Sequence, residues 1–73
     1  MEEKKIAIKF YEKINEKILE KNTTYYKIAE NLGMSQQNFS DQMKNLKKGK
    51  FIKIKTILRL QEYLGIELIK INI

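Results

Sequence analysis

The stretch that most limits the possible folds runs from Tyr25 to Leu46, YYKIAENLGMSQQNFSDQMKNL. Two short helices can cross closely only over a small side chain, and Ala29 supplies one. Four residues on, Gly33 supplies the tolerance of positive φ that a tight reversal needs. Ile28, Leu32, Met34 and Phe39 flank these positions at intervals that would wedge the two helices at a fixed angle. Each match is weak by itself. The string I-A-x-x-L-G-M-S-Q-Q-x-F, set in a helical and basic chain, is fairly specific for a helix-turn-helix. A plain helical hairpin that binds nothing would use the same apolar frame.

The rest of the chain reads as support for this pair. From Glu2 to about Lys21, Ile6, Phe10, Ile14 and Ile18 recur every four residues, with Ala7, Tyr11 and Leu19 beside them, which predicts an amphipathic helix. Lys5 to Phe10 also alternates with period two and could open as a strand; the four-residue period continuing to Ile18 favours helix. Asn22-Thr23-Thr24 ends it, and Thr24 is placed to cap a second helix that closes at Leu32. Ser35 caps a third, Gln36 to Lys47, whose inward side carries Phe39, Met43 and Leu46. Lys48-Gly49-Lys50 is a loop, and Phe51 is expected to plug the core from it. A further helix, about Lys53 to Leu64, is expected to bury Ile54, Ile57, Leu60 and Leu64, with Gly65 at its C-cap. From Ile66 onward, β-branched residues alternating with Lys70 and Asn72 read as a strand. The expected fold class is all-α: a compact single domain of four to five helices with a short C-terminal β-strand.

At 73 residues the chain has room for one domain. A domain of this size buries only about 60% of the surface its unfolded chain exposes, and no cysteine is present to staple it. Lack of cysteine fits a reducing compartment, and neither a signal peptide nor an apolar run long enough to span a membrane is evident, so a cytoplasmic location is expected.

The net charge is +6, and its placement is uneven. Residues 1–41 balance seven lysines against seven acids. Residues 42–55 carry Lys44, Lys47, Lys48, Lys50, Lys53 and Lys55 and no acid, so the excess lies just after the SQQ stretch. A local basic block points to a polyanionic partner more strongly than a diffuse excess does, although a solvated lysine-rich face would look the same. Enzymatic function is not expected. The sequence has no histidine, no cysteine and no glycine-rich phosphate loop, and its acids lie along helix faces beside lysines. It offers no metal cluster, no cofactor motif and no small-molecule effector pocket.

From about Ile14 to Ile66 the chain resembles the Cro and repressor family of phage and bacterial regulators, the XRE-type helix-turn-helix proteins. The most specific part is TTYYKIAENLGMSQQNFSDQMK. The resemblance implies a compact lambda-repressor-like bundle whose third helix, opening Ser35-Gln36-Gln37, enters the major groove of DNA. The chemistry of that helix agrees. Gln and Asn amides donate and accept together, which suits an adenine edge, and Gln36, Gln37 and Asn38 occupy the first turn, nearest the bases. Ser40 and Asp41 lie one turn on; Asp41 would accept from a cytosine amino group or repel phosphate in a wrong register. These five residues are the candidate base readers.

Candidate phosphate contacts flank them. Thr24, Tyr25 and Ser35 stand at helix starts, where free N–H groups favour an anion, and Lys27 follows on the next turn. In the family the first residue of the second helix is often a Gln that contacts phosphate and braces the reading helix; here it is Tyr25. On the other side Lys44, Lys47, Lys48 and Lys50 would hold the backbone. Four to six such contacts imply a log–log salt slope of roughly −4 to −5 per protomer.

The chain departs from the family pattern in three places. Lys27 stands where a capping-box Glu would follow Thr24. Gln61 replaces a small apolar residue of the last helix. Gln42 stands where a buried aliphatic is common, with Met43 one position on, so two rotations of the reading helix are open: one turns Asp41 outward, the other Gln42. The tail needs a partner for its backbone groups. That partner is either the same strand of a second copy, joined through Leu68, Ile69, Ile71 and Ile73, or the Lys5 to Phe10 segment. The expected assembly is a homodimer on a palindromic double-stranded operator. The alternative function is a protein–protein adaptor or antitoxin-like module whose partner docks on the apolar tail.

Overall fold

The computed structural model describes residues 2–69, which fold into four helices: α1 (Glu2–Glu20), α2 (Tyr25–Leu32), α3 (Gln36–Lys47) and α4 (Ile54–Leu64). Helices α1 and α2 each pack against both α3 and α4. The core between them holds Ala7, Ile14, Ile18, Ile28, Ala29, Leu32, Phe39, Met43, Leu46, Leu60 and Leu64.

Helix α1 is helical from its start, so Lys5 to Phe10 is not a strand. Its buried side is Ala7, Ile14 and Ile18, with Phe10 and Tyr11 packed at the margin, while Ile6 and Leu19 are exposed. The geometry of a helix explains the correction at Ile6. A strict four-residue row drifts around a helix of 3.6 residues per turn, leaving Ile6 about 120° from Ile18. The row cannot face inward along its whole length, and Ala7 takes the inward place. Asn22 ends α1 in the left-handed region at φ 54°, and the Thr23 N–H returns to the Ile18 carbonyl at 3.1 Å. Asn is one of the few non-glycine residues that adopt this conformation readily.

Helices α2 and α3 form the hairpin that the spacing predicts. The Thr24 hydroxyl accepts from the Lys27 N–H at 3.2 Å, and the Ser35 hydroxyl accepts from the Asn38 N–H at 3.1 Å. Gly33 sits at φ 73°, and the Met34 N–H closes the turn on the Ala29 carbonyl at 3.0 Å. A β-carbon at Gly33 would meet nothing within 4 Å, so glycine is needed there for its backbone freedom and not for space. Arg59 of α4 donates to the Leu32 carbonyl at 3.2 Å, tying the free end of α2 to the far side of the bundle.

Two expectations fail around α4. Ile54 is 63% exposed, because Thr56 and Ile57 take the inward side of the first turn. Phe51 does not plug the core: it is 40% exposed and stacks edge-on against Phe10, with ring centroids 5.5 Å apart. Ile52 packs against the core instead.

After Gly65 the chain bends, and residues 66–69 form no strand. The side-chain oxygen of Gln61 accepts from the N–H groups of both Leu68 and Ile69. Successive N–H groups of a strand point to opposite sides, so two of them converging on one oxygen exclude strand geometry there. Thus Gln61 folds the tail back, and Ile66 and Leu68 pack against the core. Of the four residues expected to form an interface, Leu68 and Ile69 lie in this half-buried bend, and Ile71 and Ile73 lie outside the described residues.

Candidate functional site

The capped start of α3 fixes where its polar side chains stand. Gln36, Gln37, Asn38 and Asp41 are exposed, and Ser40 is half-buried at the edge of the row. The Gln37 side-chain amide donates to a carboxylate oxygen of Asp41 at 3.0 Å. This contact across one helical turn holds Gln37 in one rotamer and leaves its carbonyl oxygen open to a donor.

Gln42 answers the question of rotation. It is half-buried, and its amide donates to the Met34 sulfur at 3.7 Å and to the Asn38 side-chain oxygen at 3.4 Å. Asp41 therefore faces outward and Gln42 faces the turn. Met43, one position on, is 1% exposed and sits in the core. The Asn38 contact also occupies the oxygen of that side chain, leaving its amide N–H groups as the outward donors.

On one flank, Tyr25 leans edge-on against Phe39, with ring centroids 5.0 Å apart and planes at 81°. The Tyr25 ring thus ties the start of α2 to the core residue of α3. Burial, and secondly the neighbouring Tyr11, raise the Tyr25 phenol above its ordinary pKa. Tyr11, Tyr25, Ser40, Met43, Lys44 and Lys47 line one open pocket of about 250 Å³. The Lys47 ammonium stands 6.0 Å from the centre of the Tyr11 ring. The sequence pattern gave Tyr11 a place only beside the core stripe of α1, because its position on this pocket depends on how α1 crosses α3.

On the other flank, Lys48 and Lys50 are exposed in the turn after α3, with Lys53 and Lys55 following. Among the described residues the ion pair found joins Lys17 to Glu20 at 3.1 Å, so the lysines of residues 42–55 carry no acidic partner there. Lys27 stands apart from both flanks, in a groove with Lys21, Asn22, Thr23 and Tyr63. Tyr26 is 59% exposed.

A second surface lies away from the amide row. Phe10, Phe51, Ile52, Ile54, Ile57 and Ile69 line a groove that is almost wholly apolar. Among the described residues no three His, Cys, Asp or Glu side chains gather as metal ligands, and no helix is long and apolar enough to cross a membrane.

No family model matches the sequence, and no curated protein or solved structure matches it either.

Proposed function

We propose that this protein binds double-stranded DNA in a sequence-specific way, laying α3 in the major groove, and acts as a small transcriptional repressor of the Cro type in the bacterial cytoplasm. The observation that carries the proposal is the row Gln36, Gln37, Asn38 and Asp41. It stands exposed on the first turns of a helix whose rotation is fixed by two caps and by Phe39 beneath it. Amides presented in this way match base edges, and the lysines from Lys44 to Lys55, which have no acidic partner among the described residues, match the phosphate backbone. No cofactor, metal or catalytic step belongs to this reading.

The protein acts as a homodimer on a palindromic operator. A single α3 would bury little sequence-reading surface, and two copies would read half-sites about one helical turn apart. Leu68 and Ile69, together with Ile71 and Ile73, are the proposed contacts between copies. The apolar groove beside Ile69 favours a second reading, in which that face docks a different protein and the chain serves as an adaptor or antitoxin-like module.

Selection from random duplexes followed by sequencing tests the main reading, with fluorescence anisotropy on the selected site. A selected duplex should bind at least about 10³-fold tighter than random duplex at about 0.15 M salt. Equal binding to both would remove the repressor reading. Gln37→Ala should lower the preference for the selected site by about 1–3 kcal/mol while leaving random-duplex binding unchanged.

A further inference from the structure

We infer that the pocket between α1, the start of α2 and the middle of α3 is a seat for one phosphodiester group, with the Tyr11 hydroxyl of α1 as a direct contact. The inference rests on the DNA-binding reading and extends it to a helix outside the helix-turn-helix.

The lining is that of an oxyanion site. Tyr11, Tyr25 and Ser40 bring three hydroxyl groups to the pocket, and Lys44 and Lys47 bring two ammonium groups. None of the three hydroxyls is engaged in a side-chain hydrogen bond among the described residues. Among the described residues no acid lines the pocket: Asp41, next to Ser40, is engaged by Gln37, and Glu12, next to Tyr11, is exposed outside the lining. The donors are also held in place. Tyr25 is fixed by its edge-on contact with Phe39, and Lys47 is drawn over the Tyr11 ring. Tyr25 stays protonated, and therefore a donor, through the physiological range. A pre-positioned neutral donor loses less entropy on meeting an anion than a free lysine does.

The location fits a backbone phosphate. Gln36, Ser40 and Lys44 follow one another at four-residue spacing, so they form a single row along α3. The first faces the bases in the proposed pose, and the other two enter the pocket. A strand whose bases meet Gln36 and Gln37 would run its backbone across Ser40 and Lys44 toward Tyr11.

The test compares wild type with Tyr11→Phe and Lys47→Ala, using anisotropy on random duplex and on a selected duplex over a series of salt concentrations. Removing one neutral hydroxyl should weaken both duplexes by the same factor, about 3- to 10-fold, with an unchanged salt slope. Lys47→Ala should also weaken both and should flatten the slope by about one. Tyr11→Phe binding both duplexes like wild type would overturn the inference, and a loss confined to the selected duplex would make Tyr11 a base reader instead. Because random duplex suffices, this comparison stands even if α3 reads no sequence. A parallel titration with inorganic phosphate, followed by NMR at Tyr11, Tyr25 and Ser40, separates the sources. Saturable shifts that vanish in Tyr11→Phe, with duplex binding untouched, would assign the seat to free phosphate and overturn the backbone contact. If wild type binds no duplex at all, the backbone seat falls with it.

Discussion

The α2–α3 hairpin and the α1–α4 flank treat their apolar residues differently. In the hairpin, Ile28, Ala29, Leu32, Phe39, Met43 and Leu46 are all buried, the most exposed being Leu32 at 4%. In the flank, Ile6, Phe51 and Ile54 remain exposed although they lie on apolar rows of their own segments. The difference follows from how each region is closed. Each helix of the hairpin is bounded by residues next to it in sequence: Thr24 and Gly33 for α2, Ser35 for α3. Local hydrogen bonds fix where these helices start and where α2 ends. Helix α4 has no side-chain N-cap, and α1 runs 19 residues, so their inward faces are chosen by partners far away in the chain.

The largest expected effect lies in the hairpin. Phe39 is fully buried and touches Tyr25 of α2, so Phe39→Ala should cost about 3–5 kcal/mol in chemical denaturation. A loss below about 2 kcal/mol would show that the hairpin is packed no better than the flank. Next comes the tail. Gln61→Ala removes the oxygen that holds two backbone N–H groups and should cost about 1–3 kcal/mol. Hydrogen exchange at Leu68 and Ile69 should speed up before that at any core amide; unchanged exchange would show that the bend is held by packing alone. Gly33→Ala is smaller, about 1–2 kcal/mol, because the added methyl has room and only the left-handed backbone resists it. Adding Asn in place of Ala should recover part of the loss, since Asn22 already adopts that conformation in this chain.

The same contrast explains what could be read from the sequence. The boundaries of α3, the left-handed turn at Gly33 and the cap at Ser35 were legible, because caps and a left-handed turn are written in adjacent residues. The outward stance of Asp41 was not, since it depends on Gln42 finding Met34 across the turn. The place of Tyr11 beside the apolar row was legible and it packs at the core margin, but its approach to Lys47 was not, because that depends on how α1 crosses α3. In the tail the difference is seen at residues 66–69. Alternation from Ile66 suggested a strand, but over residues 66–69 a single side chain, Gln61, accepts from the Leu68 and Ile69 N–H groups and bends the chain. Propensity over four residues is weaker than one well-placed amide.

The smallest expected effect on folding is the sharpest probe of the flank. Ile54 is 63% exposed at the edge of the apolar groove, so Ile54→Ser should change the unfolding free energy of the monomer by no more than about 0.5 kcal/mol. Its effect should appear instead in association. A surface that buries Ile54 against a second copy would make the melting temperature rise with protein concentration, and the substitution should remove that dependence. Sedimentation at several concentrations checks the same point directly. If Ile54→Ser destabilises the isolated chain by as much as a core truncation, then the flank is part of the core and the contrast with the hairpin fails. If neither folding nor association responds, the groove is not where copies meet. The proposed dimer would then rest on Leu68 and Ile69 alone among the described residues, and a chain that stays monomeric at every concentration would remove it.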